Sequence, residues 1–430
     1  MYRNVINDLA LWVEKECRQI LYIKGATGVG KTWTIKDFAT AFFAHQNYID
    51  VSTELDFIEA ITKKDLESFK ALLSERFPID NSDENYIKNS IFIFDELQGI
   101  PDFASFFYAF LKEDRRYNLC LIASTMEFTE YEYTHQDVFN IIRMRPMSFD
   151  EYLIANKAHR LIASIEHQKS TPLSSVEESY AETLLKEYML TGGMPEVIKA
   201  FLKGHNYNVI RPIQEKILSD YDKILRKCSR EAEVTRVRRI WKSIPKQLVR
   251  DNKKFMYNAV EDNARAREYL DATRILCNLG FARKLPLLKE GAIPLEDHVE
   301  HKSFEFFLID HGLLRALYNL PVDEGISIND IFKEKNGAIA EQYIFQELSN
   351  KVGNLYYWIS KATARVPFVY EGDQAPVPVD VRFEQNNKAQ NVKAFRSKNP
   401  DTEISIRVSL DQVSFDNMCL NIPVYALWNM

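Results

Sequence analysis

A chain of 430 residues, 46% apolar and 27% charged, has room for roughly two to four folded domains and does not have the composition of a disordered or fibrous protein. Its formal net charge of −6 argues against wholesale coating of nucleic acid, and five scattered cysteines without a C-x-x-C spacing argue against a metal or disulfide framework. Asp8, Glu14 and Glu16 break the apolar pattern at the start, so neither a signal peptide nor a membrane span is expected, and the expected location is the cytoplasm.

Val5, Ile6, Leu9, Trp12 and Val13 recur at helical spacing, and the run Ile20 to Lys24 has the length and branching of a buried strand. Between that strand and a second helical pattern, Lys31 to His45, stands GATGVGKT, Gly25 to Thr32. It matches G-x-x-x-x-G-K-[ST] in full, in the strand, loop, helix context that the motif requires. Gly25, Gly28 and Gly30 let backbone N–H groups converge on phosphate oxygens, with Ala26, Thr27 and Val29 completing the cradle. Lys31 would reach the β- and γ-phosphates of a nucleoside triphosphate such as ATP, and Thr32 would place its hydroxyl on Mg²⁺, a hard cation that prefers oxygen ligands.

A second strand is expected over Asn47 to Ser52 and a charged helix over Lys63 to Phe77. Ser90 to Glu96, Leu119 to Ser124 and Asn140 to Arg145 supply three further buried strands, the first two separated by a helix around Phe103 to Lys112. Five strands alternating with helices predict an α/β fold with a doubly wound parallel sheet, the P-loop NTPase arrangement. Asp95 and Glu96 close the third strand after four bulky apolar residues. Asp95 would hold Mg²⁺ through water, and Glu96 would orient and deprotonate the attacking water. Ser124 or Thr125, ending the fourth strand, can donate towards the γ-phosphate or that water, and Arg143 and Arg145 could sense phosphate charge.

From Ser148 to about Lys203 the pattern is helical, read as a lid, until TGGMPEV interrupts it with paired glycines and a proline suited to the first turn of a new helix. Two helical blocks follow, Thr235 to Val249 and Glu261 to Leu279, the latter closed by Gly280, and then two strand-like runs, FARKLPLL and FEFFLID, that suggest the wing of a winged helix. The tail predicts a helix over Gly337 to Leu348, strands around Tyr356, Val366 and Val379, a helix over Ala389 to Arg396, and strands near Ile404 and Val424. The expected division is therefore 1–147 for the ATPase core, 148–204 for the lid, 205–324 for the winged helix and 325–430 for the C-terminal domain.

Between Lys223 and Lys254 twelve Lys or Arg stand against Glu231, Glu233 and Asp251, a local balance of +9 in an acidic chain. Such a segment would neutralise phosphates in a salt-sensitive, largely sequence-independent way, which makes DNA an expected partner through residues 223–254. A solvated face, or contacts to acidic neighbours, is the alternative.

GATGVGKT, FIFDELQ, RPMSFDEYL, TGGMPEVI, KSFEFFLIDHGLL, GAIAEQYIFQEL and YYWIS together resemble the bacterial and archaeal AAA+-like ATPases, related to STAND ATPases, that carry a C-terminal domain of unknown function resembling PD-(D/E)xK nucleases. The resemblance covers nearly the whole chain and implies that GGMP lies beside the bound base, with Pro195 near the adenine. It also implies that Glu341 is the helix acid of a nuclease-like site and that Asp380 and Arg382 stand where (D/E)-x-K is expected. Members with an intact site resemble AEVDF where this chain reads ARVPF, so Arg365 and Pro367 replace the acids and nuclease activity is not expected. The expected activity is a Mg²⁺-dependent ATPase switch coupled to a winged helix and a nuclease-like module. A nucleotide-holding scaffold for DNA or a partner is the alternative, and homo-oligomerisation is left open because no arginine finger can be named.

Overall fold

The computed structural model describes residues 1–15, 19–77, 84–126, 129–168, 171–227, 231–360, 364–382 and 390–430. The chain divides into two compact units, Met1–Arg145 with Asn278–Gly280, and Pro146–Cys277 with Phe281–Met430.

The first unit is built on a five-stranded sheet of β1 (Ile20–Lys24), β2 (His45–Asp50), β3 (Ser90–Asp95), β4 (Asn118–Ala123) and β5 (Phe139–Arg143), in the order β2-β3-β4-β1-β5. Every pairing in it is parallel. All residues of β1, β3 and β4 are buried, which is why those strands read as continuous apolar runs rather than alternating ones. The helices Leu55–Lys63 and Leu66–Arg76 replace the single helix expected over 63–77. Lys64 in the left-handed region ends the first, and the Asp65 side chain caps the second by accepting from Ser68 N at 3.0 Å. An aromatic cluster centred on Phe69, with Phe57, Phe94, Phe106, Phe107 and Phe110 around it, fills the core on this side of the sheet.

The second unit holds an eight-stranded sheet. Its strands are β6 (Ala282–Leu288), β7 (Val299–Leu308), β8 (Tyr356–Ile359), β9 (Arg365–Glu371), β10 (Pro376–Val381), β11 (Ser405–Ser409), β12 (Ser414–Asp416) and β13 (Cys419–Pro423), in the order β12-β13-β11-β10-β9-β8-β6-β7. The two strands read from sequence as a wing, β6 and β7, form one end of this sheet, with β6 pairing in parallel to β8. Val424, expected in a strand, begins instead a 3-10 segment, Val424–Asn429, whose side chains are buried from Val424 to Trp428. The helix expected from Ala389 runs Gln390–Lys398, with Ala389 itself outside the described residues.

Pro195 stands in the first turn of the helix Pro195–Leu202, as its fixed φ and missing N–H favour. Gly192 before it has φ +75°, and a Cβ there would lie 2.3 Å from Asp310 Oδ1 and 2.9 Å from Gly312 Cα. Asp310 in turn accepts from Gly193 N at 2.6 Å and caps the helix His311–Leu317 through Leu313 N at 2.9 Å. The paired glycines thus let a helix end, a helix start and a buried carboxylate share one small volume.

Candidate functional site

The loop Gly25–Gly30 joins the end of β1 to the helix Lys31–Phe42, and Gly28 and Gly30 take φ of 89° and 93°, values that favour glycine. Arg3 holds this loop from outside the motif. Its Nη1 donates to Val29 O and its Nη2 to Arg145 O, both at 2.6 Å, and the residue is 4% exposed. At the end of β1, Lys24 pairs with Glu132 at 2.5 Å, each side chain 1% exposed, which anchors the strand from which the loop departs.

Because β1 lies next to β4 and β4 next to β3, the ends of three parallel strands deliver the predicted residues to one edge. Lys31 Nζ donates to Gly25 O and Ala26 O at 2.9 Å and to Ser124 Oγ at 3.1 Å. Thr32 Oγ1 donates to Asp95 Oδ2 at 2.6 Å. Lys31, Thr32, Asp95 and Ser124 are therefore brought together, whereas Thr125 turns its hydroxyl to Asn278, which groups with this unit.

The charges in this cluster are held by dipoles rather than by each other. Burial pushes the Lys31 ammonium down to about 8 from its ordinary 10.5, against the opposing pull of Glu96 and Asp95. Asp95 accepts from the hydroxyls of Thr32 and Tyr48, the latter at 3.1 Å, and from Glu96 N at 2.8 Å. Burial, reinforced by the Asp95 charge, raises the Tyr48 phenol, which keeps it a neutral donor. Glu96 sits at φ 61°, a left-handed backbone that turns the chain sharply after β3. Its Oε2 accepts from Gln98 Nε2 at 2.5 Å, while Gln98 Oε1 accepts from Ser124 N at 3.0 Å. One amide thus ties the candidate base to the tip of β4.

Sequence reasoning named neither Gln98, Tyr48 nor Arg3 for this site. Gln98 closes the quoted stretch FIFDELQ, but its return to β4 depends on the positive φ at Glu96, which no residue pattern announces. Arg3 lies in no motif, and its role depends on two carbonyls, 26 and 142 positions away in sequence.

Residues 17–153 match the model of an AAA domain. The first unit therefore carries an AAA-like P-loop domain. Residues 182–324 match a domain of unknown function, DUF8612, and residues 336–427 match another, DUF4143. No curated protein matches the chain. Among the described residues no helix is long and apolar enough to cross a membrane.

The second unit holds the residues named for a nuclease-like site, and there the charges do cancel one another. Arg365 donates to both oxygens of Glu305, at 2.9 and 2.7 Å, and to both oxygens of Glu341, at 3.0 and 2.9 Å. Lys253, one of the twelve cations of the basic segment, pairs with Glu341 at 2.9 Å. Despite burial, which raises it, the two cations hold the Glu341 carboxyl down at about 2. Asp380 pairs with Arg382 at 2.8 Å. Pro367 lies in β9, which has partners on both sides, and β8 shifts register opposite it between Tyr356 and Trp358. That is the local distortion a missing backbone donor imposes on an interior strand. Pro195, named for the adenine, belongs to this unit.

Elsewhere in the basic segment several cations are neutralised locally, Arg226 and Arg238 by Asp222 and Arg239 by Glu261. Arg236, Lys242, Lys246 and Arg250 are exposed along or just after the helix Glu231–Leu248, with no carboxylate among the described residues within 4.0 Å. Arg230 lies outside the described residues.

Proposed function

We propose that the first unit binds ATP with Mg²⁺ and hydrolyses it. The observation that carries this reading is the meeting of Lys31 with Ser124 and of Thr32 with Asp95 at the end of β1, β3 and β4. The Lys31 ammonium exchanges its three neutral acceptors for phosphate oxygens, and the N–H groups of the loop complete the cradle. The Thr32 hydroxyl and the Asp95 carboxylate are hard oxygen donors suited to Mg²⁺, which when bound neutralises phosphate charge. Glu96, facing the same edge, orients the attacking water and accepts its proton, and Ser124 donates to the γ-phosphate or to that water.

The test is ATP turnover by the wild type against Lys31→Ala and Glu96→Gln. Both variants are expected to lose turnover, and equal rates in all three proteins would refute the assignment.

A second reading concerns the larger unit. Arg236, Lys242 and Lys246, spaced six and four apart, fall within about one third of the helix circumference, and with Arg250 just beyond the helix end they support binding of a DNA backbone there. Nucleotide state in the first unit would act as a switch on that binding. Fluorescence titration with duplex DNA over a salt series, with and without ATP, tests both statements; flat salt dependence contradicts the first and unchanged affinity the second. Nuclease action is not proposed, because the Glu341 oxygens are taken by Arg365 and Lys253.

A further inference from the structure

A cavity of about 300 Å³ opens in the second unit, between the helix Gln390–Lys398 and the strands β10, β11 and β13. Arg382, Lys393, Arg396 and Arg407 line it, against the carboxylates of Asp380 and Asp416, so the lining carries +2. Asp380 is matched by Arg382, and Asp416 accepts from Asn417 Nδ2 at 2.7 Å. Once the Asp380–Arg382 pair is set aside, Lys393, Arg396 and Arg407 face the single carboxylate of Asp416, which leaves the excess of +2 on these three cations.

Two of these are incompletely satisfied. The Nε of Arg396 and the Nε of Arg407 are buried and find no acceptor among the described residues. Arg396 is otherwise fixed, its Nη1 donating to Asn417 O at 3.2 Å and its Nη2 to Ser405 Oγ at 3.1 Å. Arg407 stands in register between Asp380 on β10 and Asn421 on β13, so its backbone is fixed from both sides. An oxyanion in the cavity would be met by the Arg396 and Arg407 guanidinium groups and the exposed Lys393 ammonium, and would neutralise the excess charge of the lining.

We propose that this cavity is a binding site for a phosphate group carried by a small molecule. It goes beyond the ATPase reading, uses none of that site's residues, and stands or falls separately from it. A volume of 300 Å³ accommodates a phosphate with a sugar-sized substituent. Three cationic side chains from one helix and one strand recognise the oxyanion, while Ser405 and Asn417 add neutral polar groups at the wall.

Cys419 lines the same cavity and offers a local readout that binding at Gly25–Thr32 does not touch. The experiment follows alkylation of Cys419 by iodoacetamide, resolved by peptide mass mapping, in the full-length protein at constant ionic strength. The probes are inorganic phosphate, a nucleoside monophosphate, a single-stranded oligonucleotide and chloride as the control. Phosphate or the monophosphate is expected to slow Cys419 modification about fivefold at several times its Kd, relative to chloride. Arg407→Leu and Lys393→Glu are each expected to abolish the protection, the second keeping the proposal testable if the first does not fold. Cys277, away from the cavity, should react at an unchanged rate. Protection equal to that by chloride, protection that survives both variants, or protection by the oligonucleotide alone would overturn the proposal.

Discussion

Two clusters of charged side chains in this molecule contain the same kinds of groups and differ in how the charges are satisfied. At the end of β1 and β3, Lys31 is held by two carbonyls and a hydroxyl, and Asp95 by two hydroxyls and a backbone N–H. In the second unit, Arg365 and Lys253 grip Glu305 and Glu341 directly. Neutral dipoles can be exchanged for a phosphate or a metal ion at little net cost. A buried carboxylate already bound to two cations has nothing left to offer a ligand. The lesson is that a site able to bind keeps its opposite charges apart, and a structural cluster lets them meet.

The largest expected effect lies in the first cluster. Glu96→Gln preserves shape and the hydrogen-bonding partner Gln98 but removes the proton acceptor, so ATP turnover is expected to fall by about 10²–10⁴ while binding persists. Steady-state kinetics beside a binding titration measure the two separately, and a parallel loss of both would show that Glu96 holds the nucleotide rather than activating water.

Next in size is the second cluster. Arg365→Leu leaves Glu305 and Glu341 buried with only Lys253 between them, and about 3–5 kcal/mol of stability should be lost. Urea unfolding at pH 7 gives the value. A cost below about 1 kcal/mol would mean that the carboxylates find other partners, and the contrast between the clusters would fail.

Gly192→Ala follows, through the strain of a positive φ and the collision with Asp310, at about 2 kcal/mol by the same measurement. A neutral outcome would show that the junction of helices at GGMP yields more readily than its close contacts indicate.

The smallest effect is a proton linkage. Burial sets Lys31 at about 8 in the folded protein against 10.5 ordinarily. The unfolded chain therefore binds more protons between those values, so its contribution disfavours folding most below about pH 8 and ligand-free stability gains from Lys31 as pH rises towards 10.5. A bound triphosphate reverses the shift, and binding near pH 8 should take up about half a proton. Calorimetry in two buffers of different ionisation enthalpy detects this, and proton release instead would contradict the charge-separated picture.

Much of the first unit was legible in the sequence because its signals are local. A glycine loop between an apolar run and a helix, and acids after four apolar residues, fix Lys31, Thr32 and Asp95 within a few positions of where the sheet brings them. What escaped depends on long-range geometry. Gln98 reaches Ser124 only because Glu96 adopts a positive φ, and Arg3 reaches Val29 and Arg145 only because β1 and β5, which lead to them, lie side by side. In the second unit the resemblance singled out Arg365 as standing where an acid was expected, and the structure places it between Glu305 and Glu341. Its partner Glu305, 60 positions earlier, and Lys253, which pairs with Glu341 and lies 112 positions before Arg365, carry no periodic signal, so the sequence could not show that these residues form a closed ion cluster. The runs around Leu285 and Phe306 read as a wing because a hairpin alone carries no mark of a third strand. Only the pairing of β6 with β8 reveals the larger sheet.

Titration calorimetry of the pure, folded protein with ATP in the presence of magnesium tests the central claim most directly. Saturable one-site uptake by the wild type and by Glu96→Gln, with loss of binding in Lys31→Ala, is the predicted result. Absence of any binding heat in the wild type, across temperatures that change the enthalpy, or unchanged affinity in Lys31→Ala, would contradict it.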